Sequence, residues 1–295
     1  SQNKGVMHAC GHDAHTACLL GAIKILDTLS KEWEGSIKFI FQPAEEQYPG
    51  GAQQMIKEGV LENPKVQKMF GQHVFPDLPV GKVGFCSGKY MASADEIQIT
   101  INGVGGHAAL PDTYNSPIIA GAKLITSLED YFLPFRNIPA VFAIGFVEAT
   151  GYFNVIPDKI ELKGTFRTVD EEYRDLAHIQ MQKIANNIAN ENDLDINFRI
   201  NKGYPSLHND EKLTNKAIIY AKEYMGCENV VGLSIRMTAE DFSYYCNEVP
   251  SCFYRLGTAN TDKGITHGLH TSKFNIDENA LKIGMGLMAY LAIKN

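Results

Sequence analysis

Apolar and polar positions change period several times along the 295-residue chain, and each change marks an element. Between residues 16 and 29, Leu19, Leu20, Ile23 and Leu26 recur at helical spacing and predict a helix. Ser36-Ile37-Lys38-Phe39-Ile40-Phe41 predicts a buried strand, residues 51–59 a short helix, and residues 66–70 a second strand that leads into Gly71-Gln72-His73-Val74. The style then changes. Residues 94–102 alternate as a strand with one buried face, Gly103-Val104-Gly105-Gly106-His107 turns the chain, and 117–132 is helical in period. Strands at 140–147 and 159–166, a helix opened by acidic residues at 170–190 and a strand at 196–200 complete the order β-α-β-β-α-β, the split βαβ arrangement. A helix at 211–225, the apolar strand Cys252-Phe253-Tyr254-Arg255-Leu256 and a closing helix at 277–291 return to the first style. The expected organisation is an α/β domain in two parts, 1–93 and 203–295, interrupted by an inserted α+β domain at 94–202.

Composition narrows the function classes. With 44% hydrophobic residues the chain can bury a sizeable core, while a net charge of -7 and the absence of any Lys/Arg run argue against a nucleic-acid or anionic-membrane partner. Small-molecule chemistry is favoured. The six cysteines are scattered without the spacing of a disulfide scaffold, which points to a reducing, cytoplasmic setting. No apolar run reaches the length of a membrane span, and the first residues do not read as a signal sequence, although the sequence opens on Ser1 without an initiator Met.

The stretch His8-Ala9-Cys10-Gly11-His12-Asp13-Ala14-His15 gathers three imidazoles, a thiol and a carboxylate on what reads as the turn before the first helix. Cys10 and His12 flank a single glycine, so both side chains can lean toward one point. Taken singly, each of these residues is more often a buried hydrophobe or a satisfied polar group. Taken jointly, they describe a metal site. Glu45 and Glu46 follow the first predicted strand and His73 the second, at the strand ends where ligands bind in open α/β sheets. Alone, the glutamates would be read as partners of a helix dipole. Thr266-His267-Gly268-Leu269-His270 adds two imidazoles before the last helix.

Met-His-Ala-Cys-Gly-His-Asp-Ala-His, Gln-Pro-Ala-Glu-Glu, Gly-Gln-His-Val, Gly-Gly-His-Ala-Ala, Asn-Val-Ile-Pro-Asp and Gly-Leu-His, in this order, resemble the di-metal amidohydrolases of the aminoacylase-like metallopeptidase family. Members include hippurate hydrolases, N-acetyl-diaminopimelate deacetylases and auxin amino-acid conjugate hydrolases. The resemblance runs from end to end of the chain and implies a di-metal peptidase-type catalytic domain, with the inserted ferredoxin-like domain serving dimerisation. It implies that Cys10, His12, Glu46, His73 and His270 hold two divalent ions and that Glu45 is the catalytic base. It also implies that His107 reaches into a partner subunit's site, and that Asn154 and Arg167 grip a substrate carboxylate. Thiolate, imidazole and carboxylate together suit zinc and admit manganese, nickel or cobalt.

The implied reaction is hydrolysis of an N-acyl amino acid to a carboxylic acid and a free amino acid, by a homodimer. A dipeptidase or aminopeptidase of the same family is the alternative reading. Family chains carry a preceding strand-and-helix section ending in Asp-x-Asp, which this sequence does not include. Either the sequence is a fragment of a longer chain or the protein is shortened, and a shortened protein brings a third reading, a metal-binding but inactive dimeric module. His8, Asp13 and His15 are expected to orient the ligands, Glu240-Asp241 to support the site, and His178 and His208 to be structural.

Overall fold

Where the apolar period is 3.6 the chain coils, and where it is two it pairs, with one exception described below. A computed structural model describes residues 3–132 and 138–295. In chain order it contains α1 (His12–Thr28), α2 (Gly51–Lys57), β1 (Met69–Pro79), β2 (Val83–Phe85), β3 (Gly88–Met91), β4 (Asp95–Asn102), β5 (Gly106–His107) and α3 (Pro117–Phe132). There follow β6 (Ala140–Ala149), β7 (Val155–Ile156), β8 (Lys159–Thr168), α4 (Glu171–Asn192), β9 (Asp195–Lys202), β10 (Leu207–Asn209) and α5 (Glu211–Met225). β11 (Val230–Gly232), α6 (Ser243–Glu248), β12 (Ser251–Ala259) and α7 (Asn279–Lys294) close the chain. Backbone contacts divide these elements into two units, one made of Ser1–Tyr90, His208–Ile235 and Asp241–Asn295, the other of Met91–Leu207 and Arg236–Glu240.

The first unit is built on a four-stranded mixed sheet in the order β1-β12-β2-β11. β1 runs parallel to β12 with His73 opposite Arg255, β12 is antiparallel to β2, and β2 is parallel to β11. Every residue of β12 up to Thr258 is buried, as expected of a strand covered on both faces. α1 turns Ala14, Cys18, Ala22 and Leu26 inward and leaves Leu20 55% exposed. Small residues face inward because α1 lies close against α7: a Cβ on Gly21 would sit 2.8 Å from the Met285 sulfur, and one on Gly284 would sit 2.6 Å from the Cys18 sulfur.

The second unit is an antiparallel sheet in the order β6-β8-β4-β9, with α3 and α4 contributing to its core. Alternation decides the buried face: Ile97, Ile99 and Ile101 of β4 point into the core while Glu96, Gln98 and Asn102 face out. Leu124 and Leu128 of α3 and Ala177 and Met181 of α4 belong to the same core. Asp170 starts α4 by accepting the Tyr173 N–H at 2.9 Å, and Asp210 starts α5 in the first unit by accepting the Leu213 N–H at 2.7 Å.

Three sequence expectations change. The strand expected at residues 36–41 joins no ladder among the described residues. A strand needs a partner's backbone, and here Ile37 and Phe39 instead pack their side chains on the Ala22, Leu26 and Ala289 cluster. Glu45 and Glu46 consequently sit on an irregular segment and not at a strand end. α1 begins at His12, so His12, Asp13 and His15 belong to the helix and not to the turn before it. β1 starts at Met69 and continues to Pro79, which puts His73 in its interior.

Candidate active site

Gly11 is the residue that lets the first cluster form. Its φ is 79°, and a Cβ there would lie 2.5 Å from Cγ2 of Val74, so the turn carrying Cys10 and His12 is pressed directly against β1. His73 is buried in that strand, and its Nδ1–H donates to the Val74 carbonyl at 2.7 Å. The tautomer that results leaves the Nε2 lone pair facing the Cys10 thiol, 3.4 Å away. His15, one turn into α1, accepts the Val74 N–H on its own Nε2 at 3.0 Å and so fastens the helix to β1. The three rings are near neighbours, with His15 and His73 centroids 4.4 Å apart and those of His12 and His73 5.9 Å apart.

The carboxylates approach from the irregular segment. Ala44, immediately before them, has φ 60°, as does His270. Non-glycine residues in the left-handed region cost energy and collect at sites that need a particular side-chain direction. His12 Nε2 lies 3.8 Å from Glu45 and 3.9 Å from Glu46, and His270 Nε2 lies 3.3 Å from Glu46. The His270 N–H donates to the Ala9 carbonyl at 2.8 Å, which ties this late histidine to the turn at Cys10.

Within each of three overlapping sets, Cys10/His12/His73, Cys10/Glu46/His270 and His12/Glu45/Glu46, the ligand-type atoms lie within 4.8 Å of one another. A thiol, imidazole nitrogens and carboxylate oxygens at such separations are the donor chemistry of a transition-metal site. Burial reinforces this by holding the rings neutral with free lone pairs: it lowers His12 below the ordinary histidine value, takes His15 down to about 3 with help from His12, and holds His73 well below the ordinary value. Burial also raises the Glu45 carboxyl to about 7, with Glu46 and Asp241 adding to the rise and Arg255 opposing it.

Arg255 is a residue that pattern reading passed over. It is 4% exposed, opposite His73 on the neighbouring strand, with its guanidinium 5.0 Å from the Phe253 ring centre and its Nε–H donating to the Tyr90 hydroxyl at 3.0 Å. A charged residue inside the otherwise apolar Cys252–Leu256 run was the signal available for it. Gln42 was missed as well, since its partner Asp241 is 199 positions away in the chain.

Six of the nine residues singled out in the sequence, Cys10, His12, Glu45, Glu46, His73 and His270, thus meet in the first unit. The other three belong to the second unit. There β5 pairs with β7, placing His107 opposite Val155, and the Ala108 N–H donates to the Asn154 carbonyl at 2.9 Å, so His107 and Asn154 share one short ribbon. Arg167 lies on β8, and its Nη1–H donates to the Met237 carbonyl at 3.2 Å.

Comparison with known proteins agrees with this geometry. The family model described as Peptidase family M20/M25/M40 matches residues 1–294. N-acetylcysteine deacetylase from Bacillus subtilis is 37% identical over 297 residues, covering 99% of this chain and 75% of that one. Thermostable carboxypeptidase 2 from Saccharolobus solfataricus is 35% identical over 300 residues, covering 100% of this chain and 75% of that one. A solved Bacillus subtilis structure, described as a dinuclear metal binding peptidase from the M20 family, superposes with a TM-score of 0.81 at 34% identity, covering 99% of this chain and 74% of that one. The chain therefore spans about three quarters of the length of these relatives, and it belongs to peptidase family M20/M25/M40 as a hydrolytic enzyme.

Proposed function

We propose that this protein hydrolyses the amide bond of N-acyl amino acids, with two divalent ions held by Cys10, His12, Glu46, His73 and His270. The observation that carries the reading is the convergence of these five donors with Glu45 in one unit. The ions, when bound, acidify water and polarise an acyl carbonyl. The same donor set suits zinc and accommodates manganese, nickel or cobalt. Glu45 is the general base: it stands beside the donor set without being needed to complete it, takes the proton of the attacking water and returns one to the leaving amine. The N-acyl amino acid class is supported by the similarity to the N-acetylcysteine deacetylase. A peptidase reading has support of its own in the similarity to the carboxypeptidase.

The second unit, as an inserted domain, is proposed to carry dimerisation and to supply His107 to a second copy's site, where the imidazole stabilises the oxyanion. Asn154, on the same ribbon, and Arg167, with a planar fork suited to a carboxylate, are proposed to hold the substrate's carboxylate. Supporting the dimer, this unit leaves unusual apolar surface in water: Phe153 is 95% exposed, Tyr152 73%, and Val147 on the edge strand β6 57%. A mixed-subunit assay tests the trans arrangement. His107→Ala and Glu45→Gln proteins, each nearly inactive, should regain activity toward half of the parent value per heterodimer when subunits exchange, because one site then holds neither change. No recovery would reject it.

The substrate class is tested with metal-reconstituted protein on N-acetyl and N-benzoyl amino acids against dipeptides carrying a free α-amine. Preferred turnover of the N-acyl series is expected. Preference for the dipeptides would move the assignment to the peptidase alternative, and metal binding without any turnover would leave the inactive module.

A further inference from the structure

The base and one candidate ligand sit on a segment that joins no ladder among the described residues. Residues 36–44 form neither helix nor strand, and around the two glutamates the backbone bonds are those of turns, Gln47 N–H to Ala44 carbonyl at 3.2 Å and Gly50 N–H to Gln47 carbonyl at 2.8 Å. Something else must hold the left-handed Ala44 and aim Glu45. One side chain reaches both ends of the segment. Asp241, itself fully buried, receives the Gln42 Nε2 amide on both of its oxygens, at 2.8 and 2.7 Å, and accepts the Ala52 N–H at the start of α2 at 3.0 Å. Gly50 and Gly51 make room for this. A Cβ on Gly50 would stand 2.3 Å from Oδ2 of Asp241, and one on Gly51 would stand 2.0 Å from the Pro43 carbonyl oxygen. A carboxylate oxygen of Asp241 also lies within 4.8 Å of one on Glu45, so the two negative groups bear on each other directly.

We infer that Asp241 is a positioning residue for the reaction: through Gln42 on one side of the glutamate pair and Ala52 on the other, it fixes the direction of Glu45. The inference rests on the reading of Glu45 as the base. Hydrogen bonds to a buried carboxylate are among the stronger ones, and three of them end here, so the segment is clamped at both ends by a single group. A base held to within a fraction of an ångström is what such a clamp supplies, and displacement by about 1 Å can cost on the order of 100-fold in rate.

The test uses polarity exchange in the metal-loaded protein with an N-acyl amino acid that the parent hydrolyses. Gln42→Glu sets a carboxylate against Asp241 and should lower kcat by about 10- to 100-fold while KM and metal content stay near the parent values. Adding Asp241→Asn to Gln42→Glu keeps the net charge and restores the bonds in reverse, since the new amide N–H at position 241 donates to the new carboxylate at position 42 and the amide oxygen accepts from Ala52. This double variant should recover kcat to within about threefold of the parent, whereas a mere loss of fold in Gln42→Glu would show as lost metal and a lowered melting temperature in place of a lower kcat at parent KM. Gln42→Ala, which removes the donor without adding charge, should fall between parent and Gln42→Glu at an unchanged melting temperature. Parent-like kcat in Gln42→Glu, or a loss that the double variant does not recover, overturns the inference. Glu45→Gln run alongside separates the two readings, because full activity there would remove the base assignment itself and not only its clamp.

Discussion

Two clusters of carboxylate and imidazole, one in each unit, have opposite characters. In the first unit, His12, His270, Glu45 and Glu46 approach only to between 3.3 and 3.9 Å, with the His270 side chain 61% exposed and that of Glu46 48% exposed. In the second, Asp95 is fully buried and closely bonded: Arg174 Nε donates to Oδ2 at 3.0 Å, Arg174 Nη2 to Oδ1, His178 Nε2 to Oδ2 at 2.6 Å, and the Gly203 N–H to Oδ1 at 3.1 Å. One cluster holds its groups apart with lone pairs facing a common space, and the other spends every lone pair internally. Residue type therefore says little about role. Spacing and satisfaction decide whether a cluster receives something or merely holds the fold together.

The sharpest way to break this contrast is to remove chemistry from the open cluster. Glu45→Gln keeps shape and should lower turnover by about 10²- to 10⁴-fold with metal content unchanged, as measured by hydrolysis rates and elemental analysis. Loss of metal in that variant would mean that Glu45 is a ligand. Cutting the closed cluster should show the reverse. Arg174→Met strands the buried Asp95 carboxylate beside His178 and should cost about 3–5 kcal/mol in urea unfolding, with kcat per folded molecule little changed. A variant as stable as the parent would show that the buried pair is dispensable.

The charge on Asp95 gives a pH test of smaller size. Burial would raise this carboxyl, but hydrogen bonds from His178 and Arg174 outweigh it and hold the group at about 2. A carboxyl lowered in the folded state contributes stability above its unfolded value, near 3.8, and loses it as pH falls through the folded value. The stability gap between parent and Asp95→Asn should therefore shrink by about 2 kcal/mol between pH 5 and pH 2. A constant gap across that range would show that the ionised form is not what the network stabilises. Smallest of all, Asp170→Ala and Asp210→Ala remove matched helix caps, one per unit, and should each cost about 1 kcal/mol while leaving turnover per folded molecule alone. Unequal effects on turnover would reveal a coupling that the two cap geometries do not suggest.

The elements of the second unit were largely legible because its strands have one buried face. Ile97, Ile99 and Ile101 carry the alternation in their own sequence, and α3, like α5 in the first unit, begins and ends where its periodicity says. The first unit was less legible at residues 36–41, where an apolar run that reads as a strand packs its side chains but joins no ladder among the described residues. No local pattern encodes the presence of a partner strand.

For the site, the sequence by itself determined the inventory: which residues bring thiol, imidazole and carboxylate, and that Gly11 allows Cys10 and His12 to turn together. These are matters of side-chain chemistry and of one backbone angle, both set locally. Only the tertiary structure decided the rest. It set the tautomer of His73 through the Val74 carbonyl, gave His15 the Val74 N–H as the partner that fastens α1 to β1, and placed Arg255 opposite His73. It also joined Asp241 to Gln42 across 199 positions of chain. Each of these depends on a partner distant in sequence, and contacts of that kind exist only once packing has brought the segments together.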